Sequence, residues 1–273
     1  MKTKQWISYI LYGILITAVF LYYLFPSETV KNYIVSTVTD NNPGINLSIG
    51  TTKIGFPPAI SCENLAVSFK DKKNSELKAD VVKVRPALMN LLAGRLSLLL
   101  YANVYEGNVA ASVSFENRMS TEGPMEVIIG LDNINIGKCS YLRDASDRQI
   151  DGKLKGFLRL NGEHDKIMNS TGNAEFILVD LSIRLLKNMF GFDTLTFDRI
   201  EISMSLKNRI LKMNEINFAG KQVNGTLKGN IFLQRNVTQS RLALRGDIEI
   251  PALNRKFSTF LTGTLANPIP RFM

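Results

Sequence analysis

From Ile45 onward the chain alternates apolar and polar residues with a period of two. Ile45, Leu47 and Ile49 alternate with Asn46 and Ser48, and Leu65, Val67 and Phe69 with Asn64 and Ser68. Between Tyr105 and Phe115 the odd positions are mostly apolar, while Glu106, Asn108, Ser112 and Ser114 lie between them. The rhythm returns in Leu154, Leu158 and Leu160, in Ile200, Ile202, Met204 and Leu206, and in Leu242, Leu244, Ile248 and Ile250. Side chains of a strand point alternately to its two faces, so this pattern predicts antiparallel strands with one apolar and one solvated face. The body is expected to be mainly β.

Other segments depart from that period. Gln5 to Ser27 is an uncharged run behind Lys2 and Lys4, and its Trp6 to Phe25 core is long enough, at about 1.5 Å per helical residue, to span the roughly 30 Å of a bilayer. It ends in Tyr22, Tyr23, Leu24, Phe25 and Pro26, bulky residues unsuited to a signal-peptidase site, which favours an uncleaved anchor. Lys2 and Lys4 place the N-terminus in the cytoplasm and the body across the membrane, and Trp6, Tyr9, Tyr22 and Tyr23 suit the headgroup regions. Ser27 to Asp40 predicts a short helix with Ser27 as N-cap and Val30, Tyr33, Ile34 and Val38 on one stripe, ended by Asn41, Asn42, Pro43 and Gly44. Leu88, Leu91, Leu92, Leu96 and Leu99 predict a helix within Pro86 to Tyr101, and Leu181 to Phe190 is a second, shorter candidate. Each would plug an end of the sheet or cover its apolar face. Arg95 argues against a second span.

The segment Asp151 to Leu160, DGKLKGFLRL, is echoed by Asn224 to Leu233, NGTLKGNIFL, with weaker versions at Gly246 and Gly263. We read this as a repeated β-unit whose glycines permit bulges or close approach of a neighbouring backbone.

Composition narrows the function. About 245 residues follow the anchor, enough for a sizeable folded body. The net charge of +9 suits an anionic surface, but Lys153, Lys155, Arg159, Lys207, Arg209, Lys212, Arg241 and Arg245 are scattered singly, as on solvated strand faces. No nucleic-acid partner is expected. Cys62 and Cys139 lack metal or redox spacing, and a disulfide and two free thiols both remain open. The single histidine, His164, sits in a polar stretch. A histidine metal cluster is therefore impossible, and no P-loop, nucleophile elbow or dinucleotide fingerprint is present. A non-enzymatic protein without a cofactor is expected.

FPPAI at Phe56 to Ile60, leading into ENLAVSF at Glu63 to Phe69, resembles the start of AsmA-like envelope proteins. ANVYEGNVAASVSF at Ala102 to Phe115, the stretch Phe197 to Leu233 and the closing LTGTLANPIPRF at Leu261 to Phe272 are similar to the same group. Within it, size and ending resemble the general secretion pathway protein N family of type II secretion. The resemblance implies one N-terminal transmembrane helix (1–26) and a periplasmic domain (27–273) built as a curved antiparallel β-sheet or groove with one or two short helices. It also implies a single-pass bacterial inner-membrane protein whose partners are membrane lipid and other envelope or secretion-system proteins.

An open sheet with one continuous apolar face would cover a phospholipid acyl chain or a hydrophobic partner. From the apolar side of the clearest alternating segments, the candidate lining is Val109, Val113, Leu154, Leu158, Ile202, Met204, Leu227, Ile231, Leu244 and Ile248. Two roles compete: docking within the type II secretion machine, and lipid handling between the inner and outer membranes. The alternative to an open groove is a closed core filled by the two helical segments.

Overall fold

The computed structural model describes residues 24–272 except 56–57, 71, 119, 147, 164–168 and 190–191, together with scattered positions in 6–20. The expected membrane span falls largely outside the described residues, as does His164. Among the described residues no helix is long and apolar enough to cross a membrane.

The body is one antiparallel sheet of 14 strands in which every strand pairs with its neighbours in sequence. The first part runs through β1 (Ile45–Gly55), β2 (Ala59–Phe69), β3 (Lys72–Pro86), β4 (Arg95–Val104), β5 (Gly107–Arg118), β6 (Pro124–Asn135) and β7 (Ile150–Glu163). It continues through β8 (Thr171–Met189), β9 (Phe192–Lys207), β10 (Ile210–Ala219), β11 (Asn224–Phe232), β12 (Arg241–Ile250), β13 (Arg255–Gly263) and β14 (Pro268–Phe272). β1 and β14 do not pair, so the curved sheet stays open. The accessible surface of the whole chain is 18015 Å², against about 11,800 Å² for a compact protein of 30.5 kDa.

Among the residues described from Leu24 onward, three short α-helices accompany the sheet: α1 (Ser27–Asn41), α2 (Leu88–Leu92) and α3 (Ser140–Ser146). The first was expected, with two corrections. Pro26, not Ser27, occupies the N-cap, and no side chain caps the helix there. Tyr33 is 70% exposed and off the half-buried stripe, which runs instead through Val30, Lys31, Ile34, Val35 and Val38. After Asn42 the chain reverses and α1 packs on β1.

Of the other two helical expectations, the first holds only in part and the second fails. Only Leu88–Leu92 is helical within Pro86 to Tyr101, because Gly94, at φ +73°, turns the chain back and Arg95–Val104 becomes β4. Hydrogen-bond pairing with β3 and β5 then outweighs the leucine spacing. Leu181 to Phe190 belongs mostly to β8. Asp180, at φ +51°, and Leu181 together face Gly152 of β7 as a bulge at the start of the segment, and the register to β9 shifts again between Arg184 and Met189 within it. Such a bulge breaks the period of two and mimics mixed helical spacing. No helix therefore fills the sheet at either place.

The alternating hairpins define two rims. α3 and the connections 42–44, 105–106, 220–223 and 251–254 lie on one, and α2 and the connections 208–209, 233–240 and 264–267 on the other. At the α3 rim Ile136, Leu181, Phe197, Val223 and Ile250 form a buried cluster, with Phe197 and Phe218 edge to face at 5.9 Å. Ser75 Oγ donates to Asp144 Oδ2 at 3.0 Å and Ser140 Oγ to the Glu76 carbonyl at 2.8 Å, tying α3 to β3. Tyr105, whose hydroxyl accepts from the Lys78 N–H at 3.1 Å, has its phenol pushed up to about 12, chiefly by burial. Cys62 and Cys139 are both buried free thiols, which settles the choice left open by their spacing.

Candidate apolar groove

Residues directly opposite each other in a sheet share a face, so strand register decides which side chains stand together. Leu158 faces Ala174, then Met204, Met213, Gly229, Leu244 and Leu261 in successive strands. Val109 leads through Leu131, Gly156, Phe176, Ile202 and Ile216 to Leu227. Val113 leads through Val127, Leu160, Gly172, Leu206 and Leu211 to Ile231. Leu154 connects through Leu178, Ile200, Phe218 and Gly225 to Ile248. All the candidate lining residues therefore stand on one face, in transverse rows.

Burial along that face is uneven. Ile231 and Leu244 are buried with Met213 and Leu242, and Ile202 and Met204 pack against them. Leu154 and Ile248 pack against the cluster at the α3 rim. Val109, Val113, Leu158 and Leu227 are only half-buried. Among the large side chains described, Ile250 alone of the apolar ones is fully buried. The face is an open apolar surface with closed patches.

Glycines let neighbouring backbone close in on it. A Cβ on Gly156, at φ +158°, would stand 2.3 Å from the Glu175 carbonyl oxygen, and one on Gly229, at φ +148°, 2.2 Å from that of Ala243. These are the second glycines of the two echoed segments, so the close approach expected of them is present.

The echo extends further than the glycines. Opposite each L-K-G the preceding strand bulges: Leu131 to Ile134 of β6 spans Gly156 to Leu154, and Met213 to Ile216 of β10 spans Gly229 to Leu227. The lysine pairs with an acid in each bulge, Lys155 Nζ with Asp132 Oδ1 at 3.2 Å and Lys228 Nζ with Glu215 Oε1 at 2.9 Å. The Lys228 and Asn217 side chains hold the Glu215 carboxyl below the usual carboxylate range. Sequence reasoning passed over the bulged strands, although LDNINI (Leu131 to Ile136) and MNEINF (Met213 to Phe218) carry a legible signal. The repeat is structural: it sets the bend, and its charged members lie on the solvated face.

That second face carries the scattered cations. Lys153, Lys155, Arg159, Lys207, Arg209, Lys212, Arg241 and Arg245 are all exposed. Pairs such as Lys53 with Glu63 at 2.8 Å and Arg159 with Glu126 at 3.5 Å join adjacent strands, and Lys53 and Thr51 hold the Glu63 carboxyl below its ordinary value. A shallow depression of about 320 Å³ between β7 and β10 is lined by Phe157, Ile177, Glu175, Glu201 and Glu215 among others. Among the described residues no group of three His, Cys, Asp or Glu is placed to hold a metal ion. No family model, curated protein or solved structure matches this chain, so its function has to be argued from the geometry of the apolar face.

Proposed function

We propose that this protein is a non-enzymatic, membrane-tethered groove that shields lipid acyl chains. One observation carries the reading: a continuous apolar face crosses the sheet in register, no second layer of the described chain packs on it, and Val109, Val113, Leu158 and Leu227 remain only partly buried along it. An exposed apolar surface of this extent is costly in water unless something covers it. A flexible hydrocarbon chain suits such rows, since it needs apolar contact without directional bonds. The solvated opposite face, with its strand-to-strand ion pairs, suits a body standing in an aqueous compartment beside the membrane.

The test compares the full-length protein with a Leu158→Asp, Leu227→Asp variant, both purified in the same detergent. Mass spectrometry of extracted lipid should show a defined phospholipid stoichiometry in the parent and its loss in the folded variant. Equal lipid in both would sink the proposal.

A second reading is an accessory role in type II secretion through docking to envelope proteins, as in the general secretion pathway protein N family. It is favoured by the free edge at β14, whose residues are all exposed. Pro268 and Pro270 lack N–H groups, which weakens that edge as a template for strand addition. Deletion of the gene separates the two readings. Loss of secreted proteins with unchanged outer-membrane lipid composition supports secretion, and the reverse supports lipid handling.

A further inference from the structure

The α2 rim carries a feature that the groove does not use. In α2, Met89 is 78% and Leu92 84% exposed, and Leu88 beside them is also exposed. This is no loose loop. The Ala87 N–H donates to the Ser97 carbonyl at 2.9 Å and Asn90 Nδ2 to Ser97 Oγ at 3.0 Å, with Ser97 itself buried. The β3–β4 connection thus holds apolar side chains outward at fixed positions. Val237 and Leu265, on two further connections of the same rim, are exposed as well.

Charge and chain direction identify what meets this rim. Arg95 and Arg235 are exposed on it, and Arg85 lies at the base of α2 with its guanidinium 5.4 Å from the Tyr101 ring centre and its buried Nε without a partner among the described residues. The connections 87–94, 208–209, 233–240 and 264–267 hold no acidic residue, and Glu122 is the exception among the described connections of this rim. α1 leaves the opposite rim at Asn41 and packs back along β1, about 22 Å of helix against about 37 Å of strand. Its start at Ser27, the residue that ends the uncharged run, therefore lies toward the α2 rim.

We propose that α2 is a membrane-seating tip: Leu88, Met89 and Leu92 enter the interfacial region of the bilayer that holds the N-terminal run, while Arg85, Arg95 and Arg235 contact anionic headgroups. Apolar side chains flanked by cations bind an anionic interface through buried area and headgroup attraction together. The inference rests on the membrane-tethered part of the reading above and is independent of acyl binding on the sheet face.

The test uses full-length protein in nanodiscs of phosphatidylethanolamine and phosphatidylglycerol. Trp6 is the only tryptophan, so Trp6→Phe with Met89→Trp places a single probe on the tip, and Trp6→Phe with Leu142→Trp places one on the α3 rim. Lipid brominated near the headgroup should quench about half of the emission at position 89 and leave position 142 unchanged. Adding Leu88→Asp and Leu92→Asp should abolish the quenching without altering the circular dichroism, since both side chains are exposed. Emission at position 89 that matches position 142, or quenching that survives the two aspartates, would overturn the proposal. Loss of lipid from a Leu158→Asp, Leu227→Asp protein whose tip is still quenched would separate the groove from the seat.

Discussion

The cluster at the α3 rim and the rows across the middle of the sheet use the same face and the same kinds of residue, yet one is closed and the other is open. At the rim, Ile136 and Val223 come from connecting segments and fold onto Leu181, Phe197 and Ile250. Along the rows every apolar side chain comes from a strand of the one sheet, and none of the described helices supplies a second layer over Val109, Val113, Leu158 or Leu227. Closure of a single-layer sheet therefore depends on its connections. Apolar strand patterning alone makes a face, not a core.

The largest effect should come from breaking the closed side. Ile250→Ala removes the most buried large side chain and should cost about 2–5 kcal/mol in chemical denaturation, whereas Val113→Ala on the open rows should cost about 1 kcal/mol or less. Aspartates sharpen the same contrast: Ile231→Asp with Leu244→Asp should unfold the body, and Leu158→Asp with Leu227→Asp should leave its circular dichroism intact. Next come the glycines of the echoed units. Gly156→Val and Gly229→Val should each cost about 1–3 kcal/mol or more, because the new side chain meets a neighbouring carbonyl that must move. The smallest effect belongs to the solvated face, where Lys228→Ala should cost less than about 1 kcal/mol. The Glu215 carboxyl is held below its ordinary value in the folded state, so its contribution is present at neutral pH and is lost as the pH falls through its folded value. Nuclear magnetic resonance titration of Glu215 in the Lys228→Ala protein should show its midpoint returning upward.

Much of this was legible in the chain. Alternation located strands at Ile45, Leu65, Val109, Leu154, Ile200 and Leu242, and choosing residues from the apolar side of each placed Val109 and Leu227 on one face although five strands separate theirs. The two misplaced helices share a cause. Around Gly94 a turn resets the strand phase, and in the second segment the Asp180–Leu181 bulge and the register shift after Arg184 do so, which leaves apolar residues at irregular intervals. The rule of two is local, and each bulge restarts it. Tyr33 was misplaced because a short helix beside an edge strand has a narrow buried stripe.

The sequence by itself determined most of the strands, the polarity of their two faces, the tight glycines and the impossibility of a histidine metal cluster, since each follows from side-chain alternation or residue identity. Only the tertiary structure decided whether the apolar face would be covered, where Cys62 and Cys139 would lie, and which hairpin tips share a rim. Those outcomes depend on how connections fold back and on how bulges bend successive strands. Contacts of that kind join residues far apart in the chain, and no local periodicity encodes them.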